Sequence, residues 1–120
     1  MQCLTPKSMA ELSGALAQAT PATQILAGGT DYVLHERKGD FTPDLLIYPG
    51  AIPELHQIIL ADDGLTIGAM VTMREIADAL SSVPAYRAIA DMAANVGSPQ
   101  IRNKATLAGN LANASPAGDS

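Results

Sequence analysis

Apolar residues near the N-terminus recur at the spacing of a helix. Between residues 9 and 19 they come every three or four positions, and Ser8 and Glu11 form the S-x-x-E pattern that caps a helix N-terminus. Thr20-Pro21 ends the pattern, because proline does not continue a helix. The spacing therefore predicts a helix over residues 9–19.

Two short apolar runs, at residues 24–27 and 45–48, predict buried strands. Between them, Thr30 or Asp31 can cap a helix, and residues 37–39 (Arg-Lys-Gly) suit its C-terminus. A strand, a helix and a strand in this order form a βαβ unit, in which the two strands run parallel. The glycine pair after the first run then lies at the carboxyl end of a strand, where open α/β sheets bind ligands.

After Pro49-Gly50 the sequence pattern no longer predicts a parallel βαβ unit and instead predicts an antiparallel hairpin. Apolar runs at residues 56–61 and 65–69 flank Asp62-Asp63-Gly64 and predict a hairpin. A second capping box, at residues 72–75, and the proline at position 84 predict two further helices, of which the second ends near Gly97. Residues 98–120 are rich in Gly, Asn, Ser and Ala, and they predict a long ordered loop with short strand pieces.

The predicted fold class is α+β (α/β) with two subdomains. Residues 1–50 form a small βαβ subdomain, and residues 51–120 form an antiparallel sheet with flanking helices. With 48% hydrophobic and 16% charged residues, the chain is expected to be globular rather than disordered.

Charge and cysteine content narrow the function classes. The net charge of −5 and the lack of a Lys/Arg cluster argue against nucleic-acid binding. Cys3 is the only cysteine, so the chain cannot by itself ligate an iron–sulfur cluster, and a reducing, cytoplasmic setting is expected. No apolar stretch approaches the ~18 residues that a membrane span requires.

Ala27-Gly28-Gly29-Thr30-Asp31 is the first candidate site. Its glycines let the backbone approach a ligand and expose N–H groups at a helix N-terminus, which suits an anion such as pyrophosphate. The spacing is not G-x-G-x-x-G and no Lys follows, so neither a nicotinamide-type Rossmann site nor a Walker A loop is supported. Alone, such a turn is more often only a turn. Asp31 would repel a phosphate by about 4 kcal/mol at ~4 Å, so we expect its side chain to turn away and act as a cap.

The second candidate is the segment from Gln100 to Asp119, which is too rich in small and amide-bearing residues to build a core. Alone it would be interpreted as a surface loop. Considered together, the two segments resemble the FAD-binding (middle) subunits of molybdenum hydroxylases, such as those of xanthine and carbon monoxide dehydrogenases. The motifs that carry the resemblance are Ala27 to Asp31, Ile67-Gly68-Ala69-Met70-Val71-Thr72-Met73, Ile101-Arg102-Asn103 with Ala105 to Leu111, and Ser115 to Asp119.

This resemblance implies the PCMH-type FAD-binding fold and a site for the FAD pyrophosphate between two loops. The residues implied in cofactor binding are Ala27, Gly28, Gly29, Thr30, Asp31, Thr106, Ala108, Gly109, Asn110 and Asp119. Backbone N–H groups and the Thr30 and Thr106 hydroxyls would bind phosphate, and Asp119 would accept from the adenosine ribose. Ala108 stands where the family commonly has a glycine. No catalytic acid, base or nucleophile is predicted.

The resemblance also implies an electron path in which a molybdenum cofactor and [2Fe-2S] clusters on partner subunits pass electrons to FAD, and FAD passes them to an external acceptor. The expected partners are a molybdenum-cofactor large subunit and an iron–sulfur small subunit. Family members continue well past Ser120, so we expect the second subdomain to be incomplete at its C-terminal end. The isolated chain is then expected to bind FAD weakly or not at all, to be inactive and to expose apolar surface that favours self-association or a partner chain.

Two other functions stay open: the FAD cradle of a different flavin-dependent oxidase, and a non-catalytic assembly domain. Among the remaining polar residues, His35 and His56 lack neighbours at metal-ligand spacing, so no metal site is predicted. Arg102 suits a loop carbonyl or carboxylate as well as a phosphate. Tyr32 is expected to pack in the core rather than to stack on a flavin.

Overall fold

The computed structural model of the chain describes residues 1–40 and 42–115. Its strands are β1 (Gln2–Leu4), β2 (Gln24–Ile25), β3 (Leu45–Ile47), β4 (Ile58–Ala61) and β5 (Gly64–Ile67). Its α-helices are α1 (Met9–Leu16), α2 (Thr30–Lys38), α3 (Met73–Leu80), α4 (Arg87–Asn95), α5 (Pro99–Arg102) and α6 (Leu107–Asn113). Pro53–His56 and Pro84–Tyr86 form short 3-10 helices.

The first half of the chain contains a parallel sheet with the strand order β1-β3-β2. Leu46 in the central strand lies opposite Cys3 on one side and Gln24 on the other. The predicted βαβ unit, β2-α2-β3, is confirmed. The sequence does not predict β1, because Cys3-Leu4 is a shorter apolar run than those at residues 24–27 and 45–48.

Helix α1 covers one face of this sheet. Ala15 packs there with Leu45 and Ile47 in a small buried cluster. The predicted cap is present, since the Glu11 N–H donates to Ser8 Oγ at 3.1 Å. The helix ends at Leu16 rather than at residue 19, because the chain beyond it tightens into a turn with hydrogen bonds to carbonyls three residues earlier.

The second half of the chain contains the predicted antiparallel hairpin, in which β4 pairs with β5. Its main core lies between α3 and α4, where Met73, Ile76 and Leu80 are fully buried against Ala90 and Ala93. Each large side chain buried in this way stabilises the fold by roughly 1.5–3 kcal/mol. This core is therefore the main source of stability in the described structure.

The prediction of a long loop after residue 98 is wrong, because two helices form there. The Ser98 hydroxyl accepts from the Ile101 N–H at 3.2 Å and caps α5, whose first residue is Pro99. The Thr106 hydroxyl accepts from the Gly109 N–H at 3.0 Å and caps α6. Both caps are visible in the sequence, but the Gly- and Asn-rich composition outweighed them in the prediction.

Candidate functional site

A cleft of about 390 Å³ opens where the first glycine turn meets the start of α6. The predicted site residues that line it are Ala27, Gly28, Gly29, Thr30, Asp31, Thr106, Gly109 and Asn110. Ala108 is half-buried on α6 and is not among the lining residues. Asp119 lies outside the described residues. The fold thus brings together two segments that lie far apart in the sequence.

Gly29 shapes one side of the cleft, which is formed by the first loop (residues 27–31). It is the N-cap of α2 and has a φ of 77° and a ψ of 0°, in the left-handed region that glycine adopts without strain. The helix therefore begins at Thr30, and the prediction that Thr30 or Asp31 caps it is wrong. No side chain caps this helix N-terminus. Uncapped N–H groups at the positive end of a helix dipole favour an anion.

Thr106 anchors the opposite side of the cleft. This side is formed by residues 104–110, which lead into the first turn of α6 and are called the second loop below. It is only 3% exposed, and its hydroxyl oxygen accepts from the Gly109 N–H as the cap of α6. A threonine hydroxyl that accepts in this way still has its own O–H to donate. The structure thus gives Thr106 a structural role that is compatible with the predicted role as a donor to a ligand.

The backbone before Thr106 is fixed to the main core between α3 and α4. Met73 donates its N–H to the Ala105 carbonyl at 2.8 Å, and Thr72 forms an antiparallel bridge with Thr106. Thr72 in turn caps α3, since its hydroxyl accepts from the Glu75 N–H at 3.2 Å. Two capping threonines therefore lie side by side, and Thr106 of the pair lines the cleft.

A second cleft, of about 330 Å³, shares Leu26, Ala27, Gly28 and Thr106 with the first. It is also lined by Tyr48, His56, Met70, Thr72, Glu75, Asn103 and Lys104. Sequence reasoning did not assign these residues to a site. The capping box at residues 72–75 was interpreted only as a helix start, although it also places Thr72 and Glu75 beside the glycine loop.

Arg102 is used within the fold. Its guanidinium donates to the carbonyls of Val96, at 3.2 Å, and Gly97, at 2.9 Å, where α4 ends. Of the two alternatives that the sequence left open, the structure supports the loop carbonyl. A cation at this position also suits the negative end of the helix dipole.

Tyr32 and His35 line the first cleft from α2. Burial, together with the nearby Glu36 and Cys3, raises the pKa of the Tyr32 phenol above its usual value near 10. His35 Nδ1 lies 2.8 Å from Asp40 Oδ2.

Residues 1–40 and 42–115 contain no group of three or more His, Cys, Asp or Glu side chains that could hold a metal ion. No helix among them is long and apolar enough to cross a membrane.

The fold is that of an FAD-binding domain, and comparisons with known proteins identify its family. Residues 1–120 match the family described as the FAD binding domain in molybdopterin dehydrogenase, and the chain belongs to that family. It is 38% identical over 117 residues to the nicotinate dehydrogenase FAD-subunit of Eubacterium barkeri, a match covering 95% of this chain and 39% of that protein. It is 34% identical over 103 residues to the xanthine dehydrogenase FAD-binding subunit of Escherichia coli O157:H7, covering 83% of this chain and 35% of that protein.

Solved structures agree with the sequence relatives. A chain of the Cu,Mo-CO dehydrogenase superposes with a TM-score of 0.88 at 28% identity, covering 99% of this chain and 42% of that one. Carbon monoxide dehydrogenase from Hydrogenophaga pseudoflava superposes with a TM-score of 0.84 at 30% identity, covering 98% and 41%. The predicted fold class and family are therefore confirmed. The chain spans about two fifths of the length of these relatives.

Proposed function

We propose that this chain holds the pyrophosphate of FAD between its two loops, as part of a molybdenum hydroxylase-type dehydrogenase. The observation that carries the proposal is the convergence of the uncapped α2 N-terminus with Thr106, Gly109 and Asn110 on one cleft. The halves of the chain that contribute these loops are proposed to be the two FAD-binding subdomains, residues 1–50 and 51–120.

The residues present fit a dinucleotide phosphate. Gly29 leaves its side of the cleft free of a side chain, and a Cβ built there would meet only the Leu26 side chain, at 3.4 Å. The Thr30 and Thr106 hydroxyls are additional donors. Asp31 is exposed, so its carboxylate can point into solvent, which weakens its repulsion of a phosphate. Asp119 is proposed, from the family resemblance, to accept from the ribose.

FAD, when bound, supplies the electron-transfer chemistry, and this chain supplies binding and position. In the proposed assembly, electrons reach FAD from iron–sulfur clusters on a partner subunit and leave to an external acceptor. A molybdenum-cofactor subunit is the other proposed partner. No residue of this chain is proposed as a catalytic acid, base or nucleophile.

Exposed apolar side chains give such partners a surface to bind. Ile25 on β2 is 57% exposed, Val33 and Leu34 on α2 are 41% and 54% exposed, and Ile59 and Leu60 on the hairpin are about half exposed. Exposed apolar groups of this kind support association with another chain or self-association.

Flavin and metal analysis of the protein isolated from its natural source tests the proposal. We expect bound FAD together with molybdenum and iron in the same complex. Flavin without molybdenum or iron would favour a different flavoenzyme. Protein that carries no flavin and does not take up FAD in a titration would favour an assembly domain and would contradict the proposal.

A further inference from the structure

Gly28 and Gly29 are neighbours in the first loop, but their missing side chains serve different purposes. Gly29 has a positive φ, and a Cβ built on it would meet only the Leu26 side chain, at an ordinary contact distance of 3.4 Å. Gly28 has no positive φ, yet a Cβ built on it would lie 2.7 Å from the Lys104 carbonyl carbon, closer still to the carbonyl oxygen, and 3.1 Å from the Ala105 Cα. Cβ atoms essentially never come within 3.0 Å of such atoms. The space that Gly28 leaves is therefore filled by the second loop, not by a ligand.

The partner of Gly28 cannot easily move aside. The atoms in question belong to the backbone at residues 104–105, and that backbone is held from its other side. Met73 donates to the Ala105 carbonyl at 2.8 Å, and Ala105 donates its own N–H to the Ile101 carbonyl at 2.7 Å. The buried side chain of Ala105 belongs to the main core. The first loop thus rests on a segment that is anchored to the most tightly packed part of the molecule.

A second close approach lies at the same junction. A Cβ on Gly109 would be 3.7 Å from Ala27 Cβ and 2.9 Å from the Thr106 hydroxyl oxygen. Each loop therefore presents a glycine to the other. The two loops meet almost backbone to backbone, and the distance between them fixes the width of the cleft.

We propose that Gly28 is a positioning residue, whose lack of a side chain seats the first loop on the Lys104–Ala105 backbone and so sets the spacing of the two loops that bind the FAD pyrophosphate. The inference rests on the proposed function for the identity of the ligand. Gly28→Ala would separate the loops and weaken FAD binding without placing any atom in the path of the phosphate.

Gly68 provides a matched control. A Cβ on Gly68 would lie 2.5 Å from the Leu55 carbonyl carbon, so Gly68→Ala creates the same kind of backbone clash. That clash lies between the hairpin and the Pro53–His56 turn, and Gly68 lines neither cleft. A loss of stability alone would affect the two variants alike, whereas a change in loop spacing would affect only Gly28→Ala.

The test compares the parent, Gly28→Ala and Gly68→Ala by crystallography of the flavin-free proteins and by FAD titration, with affinity expressed per folded molecule. We expect the distance between the residue 28 Cα and the Lys104 carbonyl carbon to increase only in Gly28→Ala. We expect its FAD affinity to fall by about tenfold or more, because fixed hydrogen-bond donors depend on position. Gly68→Ala should keep the affinity of the parent.

Unchanged loop spacing in folded Gly28→Ala, parental FAD affinity, or an equal loss of affinity in Gly68→Ala would each overturn the proposal. If Gly28→Ala does not fold, Ala27→Val replaces it, since it crowds Gly109 across the same junction and should widen the cleft in the same way. A parent that binds no FAD even within its natural complex would contradict the proposed function alone, because the loop spacing of the flavin-free variants would still test the role of Gly28.

Discussion

The helices α2 and α3, which begin beside the first and the second cleft respectively, are held in very different ways. α3 buries Met73, Ile76 and Leu80 completely, and its N-terminus carries a threonine cap. α2 buries no residue, and its N-cap is a glycine without a side chain. Because α2 contributes little to a core, the position of the first loop depends on its contact with the second. The position of the first loop is thus set by its contact with the well-packed second half of the molecule.

The largest difference between the halves should appear in their tolerance of side-chain truncation. Ile76→Ala removes a fully buried side chain and should lower the free energy of unfolding by roughly 2–5 kcal/mol. Leu34→Ala, on exposed α2, should change it by no more than about 0.5 kcal/mol. Urea denaturation followed by circular dichroism measures both values. Equal losses would show that α2 is packed as firmly as α3.

FAD binding by the first loop should depend most on the backbone conformation of that loop. Gly29→Val places a β-branched residue at a φ of 77°, which costs roughly 1–3 kcal/mol of strain, and it adds a side chain to the cleft wall. We expect flavin to be lost, while the helical content of the protein is largely kept. The flavin-to-protein absorbance ratio and circular dichroism measure these quantities.

Gly39→Val is the matched control for that variant. Gly39 has a φ of 73° at the opposite end of the same helix and open space around it. The strain should therefore be similar, but flavin should be retained. If both variants lost flavin equally, strain in α2 and not occupancy of the cleft would explain the loss.

Some of these structural features can be predicted from the sequence, and others cannot. The βαβ unit and the hairpin are predicted from local signals, namely the strand runs and Asp62-Asp63-Gly64, whereas the pairing of the two loops is predicted only from the family resemblance. The contact between Gly28 and Lys104 could not be predicted, because no local pattern records which atoms lie beside a glycine in the folded chain. The cap at Gly29 was missed for a related reason, since Thr30 and Asp31 are better capping residues by propensity, but the turn requires a positive φ that glycine supplies.

FAD binding by the second loop should depend on the Thr106 hydroxyl rather than on backbone conformation. Thr106→Val keeps the side-chain shape but removes the proposed donor to phosphate, and FAD binding should weaken by roughly 0.5–3 kcal/mol in titration. It also removes the cap of α6, which should cost about 0.5–2 kcal/mol of stability. Ser8→Ala removes the cap of α1 far from the cleft and should affect stability without affecting FAD affinity. Parental FAD affinity in Thr106→Val would remove this residue from the proposed site.

Two carboxylates should respond in opposite directions. Asp119→Asn should weaken FAD binding by less than about 1 kcal/mol, because asparagine retains one acceptor for the ribose hydroxyls. Asp31→Asn removes a negative charge from the wall of the cleft and should leave FAD affinity unchanged or slightly increase it. Isothermal titration of both variants at the same salt concentration measures the difference. Weaker binding in Asp31→Asn alone would reverse the roles proposed for these residues.

The smallest expected effect concerns Tyr32 on α2, at alkaline pH. Burial, Glu36 and Cys3 raise the pKa of this phenol, so the folded state holds its proton to a higher pH than the unfolded state, whose tyrosines titrate near 10. Above about pH 10 the unfolded state therefore binds fewer protons than the folded state, and stability should fall as pH rises. Tyr32→Phe removes this contribution and should show a shallower alkaline loss of stability. Denaturation midpoints between pH 8 and pH 11 measure the slopes, and parallel curves for the parent and Tyr32→Phe would show that the surroundings of Tyr32 have no effect on alkaline stability.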